Sequence, residues 1–406
     1  MTTEITKILN GFKQFSETPY EDSIKFLKEY LDMEKSDEAF FELGKALFLN
    51  EDYDESIEYL KKAKNFKAAA YLGLDYYRKK DYPNAIRHFN EFLKENTNET
   101  VLTYLMISHE KNHEWKNAIR CGEELLEINP DNYSIKCRLI DYHFNLREYE
   151  KSLYYINELD CKKLRHKKGM VLFHLKRYGE AIEELKNVKT LEAYKLISKS
   201  YENLKKPQKA IMYLSKAYEK DPNTEILFEI SEISFKYGFH THSISILEEI
   251  LMENPKNEKV LEKIARNYLE LQKFELVIMY CEELLKVNED NFNAYLLLSE
   301  TYPYLDDNYK ALELAEKGLK INPESADLWI QKAWAIYPFD FEEFVKCYEN
   351  ALKLEPNNTE NYAKLIWYCS LEDRQDYAHK YYEKLLFYNP AFVKSFEEVT
   401  KYSDLL

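Results

Sequence analysis

Glycine and proline are scarce in this chain, with 8 and 11 residues among 406. So little glycine leaves no phosphate-cradling loop and no G-x-S-x-G nucleophile elbow, which removes the common nucleotide-binding and α/β-hydrolase signatures. Cysteine is sparse too: Cys121, Cys137, Cys161, Cys281, Cys347 and Cys369 are scattered without a CxxC pair. Neither a zinc knuckle nor a disulfide framework is expected, and the thiols read as reduced and mostly buried. No stretch is apolar over the length of a bilayer span. The opening MTTEITKILNGFKQF carries polar and acidic residues where a secretory signal needs an unbroken apolar run, so a cytoplasmic chain is the expectation. Positive charge is in the minority. With 57 Lys and Arg against 72 Asp and Glu, the net charge of -15 argues against nonspecific affinity for nucleic acid or anionic membrane.

What is present is helical in character and repetitive. The chain is 32% charged and 15% aromatic, the composition of long helices joined by short turns. Its 35 Tyr suit half-buried helices, since the ring packs while the hydroxyl reaches water. A helical-hairpin pattern returns along the whole length. The unit from Phe66 places Leu72, Gly73, Tyr76, Ala85 and Phe89; the one from Leu191 places Tyr194, Tyr201, Ala210, Leu214, Ala217 and Pro222. Strings such as INPDN, NPKN, INPES and EPNN mark the ends of second helices, because Pro cannot continue a helix and Asn or Asp can cap the next one.

These spacings resemble the tetratricopeptide repeat, a hairpin of about 34 residues with W, L, G, Y, A, F and P at set offsets. The resemblance implies an all-α fold, a right-handed α-solenoid of about eleven to twelve stacked helix-turn-helix units with a C-terminal capping helix. Read as a single domain over 1–406, the units fall at 4–36, 37–65, 66–98, 99–132, 133–161, 162–190, 191–223, 224–257, 258–291, 292–325, 326–358 and 359–390, with the cap at 391–406. Gly44, Gly73, Gly169 and Ala265 stand where paired helices come closest. Near Asn65, Cys161 and Thr190 only about 29 residues separate equivalent positions, with no Pro. Losing about five residues removes over one helical turn, which predicts shortened second helices there.

One segment has a catalytic look. His109, Glu110 and His113 spell HEKNH, the pattern in which two His one turn apart bind zinc and the Glu activates water, so a zinc-dependent hydrolase is an alternative. The repeat register opposes it. It puts His109 at a packing position and His113 in the turn before a second helix that begins near Trp115. His240 and His242 are placed in another interhelical turn. No catalytic residue, resident metal or cofactor is therefore assigned.

The resemblance implies binding, and helix geometry says where. At about 100 degrees per residue, the second, fifth, sixth, ninth and thirteenth positions of a first helix lie opposite its core positions. In proteins of this kind that face lines a concave groove holding peptides. The positions give Arg138 and Asp141, then Lys163, His166, Lys167 and His174, then Lys195 and Lys199, a local positive stretch suited to an acidic segment or a free carboxylate. Next come Glu225, Glu229 and Glu232, followed by Lys259, Lys263 and Arg266. The Lys and Asn set with which some repeats of this family grip a chaperone's acidic C-terminus is incomplete here. Toward the C-terminus the face turns apolar, with Leu296, Leu297, Tyr304, Ile330, Trp334, Tyr337 and Trp367, and two exposed Trp would make an anchor pocket. The expected role is a noncatalytic protein-interaction scaffold or adaptor taking a protein or peptide, with no nucleic acid and no membrane insertion. Helical-repeat RNA binding is a further alternative that the acidic balance disfavours.

Overall fold

The computed structural model describes residues 20–390, which hold 23 α-helices, two short 3-10 helices and no strand. The start of the 4–36 unit and the expected cap at 391–406 lie outside the described residues. The chain divides into two compact units between Lys189 and Thr190.

The first unit contains α1 (Glu21–Met33), α2 (Asp37–Leu49), α3 (Tyr53–Leu60), α4 (Phe66–Arg78), α5 (Tyr82–Leu93), α6 (Glu99–Lys111), α7 (Trp115–Ile128), α8 (Tyr133–Asn145), α9 (Tyr149–Leu159), α10 (Arg165–His174) and α11 (Tyr178–Leu185), with a 3-10 turn at Lys162–Leu164. The second contains α12 (Leu191–Asn203), α13 (Pro207–Lys220), α14 (Thr224–Lys236), α15 (His240–Glu253), α16 (Glu258–Glu270), α17 (Phe274–Val287), α18 (Phe292–Thr301), α19 (Asn308–Ile321), α20 (Ala326–Ile336), α21 (Phe341–Leu354), α22 (Thr359–Leu371) and α23 (Gln375–Tyr388), with a 3-10 turn at Tyr302–Leu305. From α2 onward the helices pair as hairpins, and within each unit successive hairpins stack.

Three hairpins of the first unit close on a small-against-large contact. A Cβ added at Gly44 would stand 2.5 Å from Leu60 Cγ, at Gly73 2.4 Å from Phe89 Cδ1, and at Gly169 2.4 Å from Leu185 Cγ. Only hydrogen fits there. In four hairpins a buried serine ties the two helices: Ser56 Oγ donates to Gly44 O at 2.8 Å, Ser152 Oγ to Ile140 O at 2.9 Å, Ser198 Oγ to Ala210 O at 2.9 Å and Ser243 Oγ to Ser231 O at 3.0 Å. Such ties satisfy a hydroxyl that burial would otherwise leave costly.

The Asn residues after second helices cap the helices that follow. Asn132 Oδ1 accepts from Ile135 N at 3.2 Å, Asn291 Oδ1 from Ala294 N at 3.1 Å and Asn358 Oδ1 from Asn361 N at 3.0 Å. The joints at Asn65, Cys161 and Thr190 follow second helices of 8, 11 and 8 residues, where 12 to 14 is usual in the other hairpins, so the missing residues come out of α3, α9 and α11.

Turns within the hairpins solve a problem that scarce glycine poses. In all but one complete hairpin the residue two before the second helix is left-handed: Glu51, Lys80, His113, Arg147, Lys176, Lys205, Gln272, Asp306 and Asp373 have φ between 54° and 67°, and Gly238 has φ 77°. The next backbone N–H then reaches back to close the first helix, as Asp81 N does to Tyr76 O at 2.8 Å and Glu114 N to His109 O at 2.9 Å. A left-handed side-chain residue costs roughly 1–2 kcal/mol, partly offset because glycine loses more entropy, by about 0.5–1 kcal/mol. Gln272→Gly should therefore raise stability by about 0.5–1 kcal/mol; a lower melting temperature would contradict this account of the turn.

Candidate partner-binding site

The face expected to bind is built from first helices, and the structure shows what its charged residues do. In the first unit Arg138 on α8 pairs with Glu110 on α6, whose carboxylate also accepts from Tyr142 Oη at 2.6 Å. Lys167 on α10 reaches Asp141 on α8 at 2.7 Å and lies 4.4 Å from the centre of the Phe144 ring. Lys163 is exposed, in the 3-10 turn ahead of α10 and not on a regular first helix as the register placed it. His166 is half-buried with Nε2 unpartnered, and His174 stacks on Tyr149 at 4.7 Å.

The second unit carries an open cleft of about 830 Å³ bounded by α12, α14 and α16. Lys199, Glu202, Phe228, Glu229, Glu232 and Lys259 are among its walls. The cations bridge from one first helix to the next. Lys195 on α12 meets Glu229 on α14 at 3.1 Å, Lys236 on α14 meets Glu202 on α12 at 2.8 Å, and Lys263 on α16 pairs with Glu232 on α14. Arg266 turns along its own helix to Glu262 at 3.1 Å, and Lys259 stands 5.0 Å from the Phe228 ring centre. The positive stretch read from the sequence is thus largely matched by neighbouring carboxylates, in each unit separately. Lys199 is exposed at the cleft wall. Phe228 and Lys236 occupy the fifth and thirteenth positions of the same register, so spacing alone could have found them.

Trp334 and Trp367 part company. Trp334 is half-buried, meeting Tyr368 edge-on at 4.8 Å and Phe344 at 6.1 Å, while Trp367 stays exposed. Leu296 and Leu297 are buried, and so belong to the core and not to a groove lining. Tyr304 lies in the 3-10 turn after α18, outside the helix face.

The HEKNH side chains point to separate partners. His109 is buried and its Nδ1 meets Glu114 at 2.7 Å; burial holds its pKa below the usual value. Glu110 is committed to Arg138 and Tyr142, and His113 sits in the left-handed turn against Trp115 at 5.6 Å. Among the described residues no group of three or more His, Cys, Asp or Glu is arranged to hold a metal ion. His240 and His242 open helix α15 and do not lie in the interhelical turn expected from the sequence, with His240 Nδ1 at 3.3 Å from Asn267 Oδ1 and His242 Nδ1 at 2.9 Å from Ser234 Oγ. Among the described residues no helix is long and apolar enough to cross a membrane.

Comparison with known proteins agrees with this architecture. The tetratricopeptide-repeat family profile matches residues 20–71 and 191–224. A DnaJ protein P58IPK homolog A from Oryza sativa subsp. japonica is 27% identical over 45% of this chain and 37% of its own length. The TPR repeat-containing protein MJ1428 of Methanocaldococcus jannaschii is 22% identical over 60% of this chain and 48% of its own. The chain thus spans less than half the length of these relatives. The solved structure of Naa15/Naa10 bound to HypK-THB covers 94% of this chain and 68% of its own, with a TM-score of 0.50 at 14% identity, a likeness of fold alone. Repeating hairpins and two matched stretches together make this chain a helical repeat protein that carries tetratricopeptide repeats at residues 20–71 and 191–224.

Proposed function

We propose that the chain is a noncatalytic scaffold that holds a peptide segment of a partner protein along its first-helix faces, with the α12–α14–α16 cleft as the principal seat. The observation that carries this reading is the cleft itself, about 830 Å³ and walled by charges of both signs around Phe228. The family is generally noncatalytic, and proteins built on it bind proteins or peptides. Arg138, Lys163, His166 and Lys167 serve the first unit's face. Lys195, Lys199, Lys263 and Arg266 serve the second, with the exposed Trp367 as an aromatic contact toward the C-terminus.

The pairing of the lysines gives the reading its energetics. An acidic segment entering the cleft exchanges one carboxylate partner for another, so most contacts contribute about 0–1 kcal/mol each, and selectivity rests on Lys199 and the ring of Phe228. The test presents the full chain to arrays of short peptides with graded acidic content. Wild type should retain acidic members, and Lys195→Glu with Lys199→Glu should lower that retention at least about tenfold, or 1.4 kcal/mol, with helicity unchanged. Equal retention by the variant would remove the cleft as the seat.

A further inference from the structure

The turns that join first to second helices near the C-terminal end of the second unit carry rings that the cleft does not use. Phe274, opening α17, stacks with Tyr304 at 4.9 Å and 7°, and Tyr309, in the first turn of α19, stacks with Phe339 at 4.6 Å and 30°. A single turn, residues 304–309, joins the two pairs and places Asp306 and Asp307 between them. Tyr304, Tyr309 and Phe339 are 63%, 72% and 48% exposed. A stacked pair that remains this wet has buried little of its apolar area, where full burial of a large side chain is worth about 1.5–3 kcal/mol.

Further along the chain, a turn of the same kind shows what such rings take. Arg374, the residue before α23, lies 4.6 Å from the Tyr377 ring centre and 5.8 Å from that of Phe341, while Glu342 holds it at 2.6 Å and Asp376 at 3.6 Å. A guanidinium between ring faces with a carboxylate at its edge combines cation–π attraction with charge-assisted hydrogen bonding. The residue at this place is Lys273 before α17 and Arg374 before α23, but Asp307 before α19 and Asp340 before α21. Each aspartate uses Oδ1 to cap its own helix, accepting from Lys310 N at 2.9 Å and Glu343 N at 3.0 Å. The cations close by in sequence are occupied: Lys310 meets Glu313 at 2.9 Å, and Lys273 lies 6.0 Å from the Tyr268 ring centre. Mid-strip, the rings and carboxylates of the Arg374 arrangement are present without its guanidinium.

We propose that this strip is a second interaction surface, distinct from the cleft, that docks an arginine-bearing basic segment of a partner protein. Guanidinium groups of the segment stack on Tyr309 and Phe339 and on Tyr304, and pair with Asp306, Asp307 and Asp340. Arginine is favoured over lysine because its planar fork both stacks on rings and meets carboxylates through two parallel bonds. The net charge of -15 draws such a segment in from a distance.

The experiment titrates the full chain into a labelled peptide of arginines spaced by glycine and serine, and into its lysine counterpart, followed by fluorescence anisotropy. The arginine peptide should bind about tenfold more tightly than the lysine one. Tyr309→Ala with Phe339→Ala should abolish that margin while leaving helicity intact. Asp306→Asn, which keeps a residue type tolerant of the left-handed turn, should weaken the arginine peptide about threefold. Lys199→Glu in the cleft should leave it unchanged, so this surface and the cleft stand or fall separately. Equal affinity for both peptides would reduce the attraction to the general negative field and overturn the proposal. So would a photo-crosslinker on the peptide labelling residues away from Phe274 and 304–342, or a dimer of the full chain that the ring substitutions dissolve, which would give the strip to a second copy.

Discussion

Truncating Phe89 to alanine is expected to lower the stability of its unit by about 3–5 kcal/mol, the range for emptying a fully packed aromatic site. Phe89 is fully buried, and its ring fills the space that Gly73 leaves by having no side chain. The ring also stacks at 6.2 Å on Tyr104 of the following hairpin, so one side chain closes its own hairpin and joins it to the next. Gly73→Ala attacks the same contact from the other side. Its Cβ would stand 2.4 Å from the Phe89 ring and force a shift costing about 1–3 kcal/mol. If the two positions form one knob and hole, Gly73→Ala with Phe89→Leu should cost less than the sum of the single changes, by about 1 kcal/mol. Urea unfolding followed by circular dichroism measures this, and strict additivity would show that the crossing does not depend on the pair.

Stability of the first unit should also fall as pH rises from about 4 to about 7, through one buried carboxyl. Asp75 is fully buried, and burial pushes its pKa from 3.8 to about 7. The geometry agrees. Ser56 Oγ lies 2.8 Å from Gly44 O and 2.7 Å from Asp75 Oδ2, yet one hydroxyl proton cannot serve both acceptors. A protonated Asp75 resolves this by donating to Ser56 Oγ, which then donates to Gly44 O. The folded state holds this proton more tightly than the unfolded chain does, so its stabilising effect is complete below the unfolded value and lost as pH passes through the folded one. The full span is about 4 kcal/mol. Asp75→Asn removes the titration, so the variant should melt higher than wild type at pH 8 and show a flatter dependence between pH 5 and 8. Parallel pH profiles would mean that Asp75 is not the group responsible.

The hairpins were legible because their signals are local. Gly44 before Leu60, Gly73 before Phe89 and Gly169 before Leu185 are pairs within one unit, and the missing residues before Asn65, Cys161 and Thr190 translate directly into short second helices. The left-handed turns were harder to see: Gly238, Asp306 and Asp373 are residue types that tolerate that conformation, but Lys80, Arg147 and Gln272 carry no compositional mark of it. His240 and His242 escape the turn for the same reason: it ends at Phe239, at least three residues earlier than the polar stretch suggests, so both open α15.

The binding face divides along the same line. Helix periodicity placed Lys167, Lys195 and Lys263 on first helices, since a period of about 3.6 residues is a property of the segment alone. It could not say that Asp141, Glu229 and Glu232 on neighbouring first helices would neutralise them, because those partners stand 26, 34 and 31 residues away and meet only when hairpins stack. The sequence by itself determined the hairpin, its length and the close-packed crossing within it, all set by contacts between residues near one another in the chain. Tertiary structure alone decided which charges remain open to a partner, where Asp75 finds its proton acceptor, and that Trp334 turns inward while Trp367 does not, because each depends on the distance between surfaces that stacking brings together.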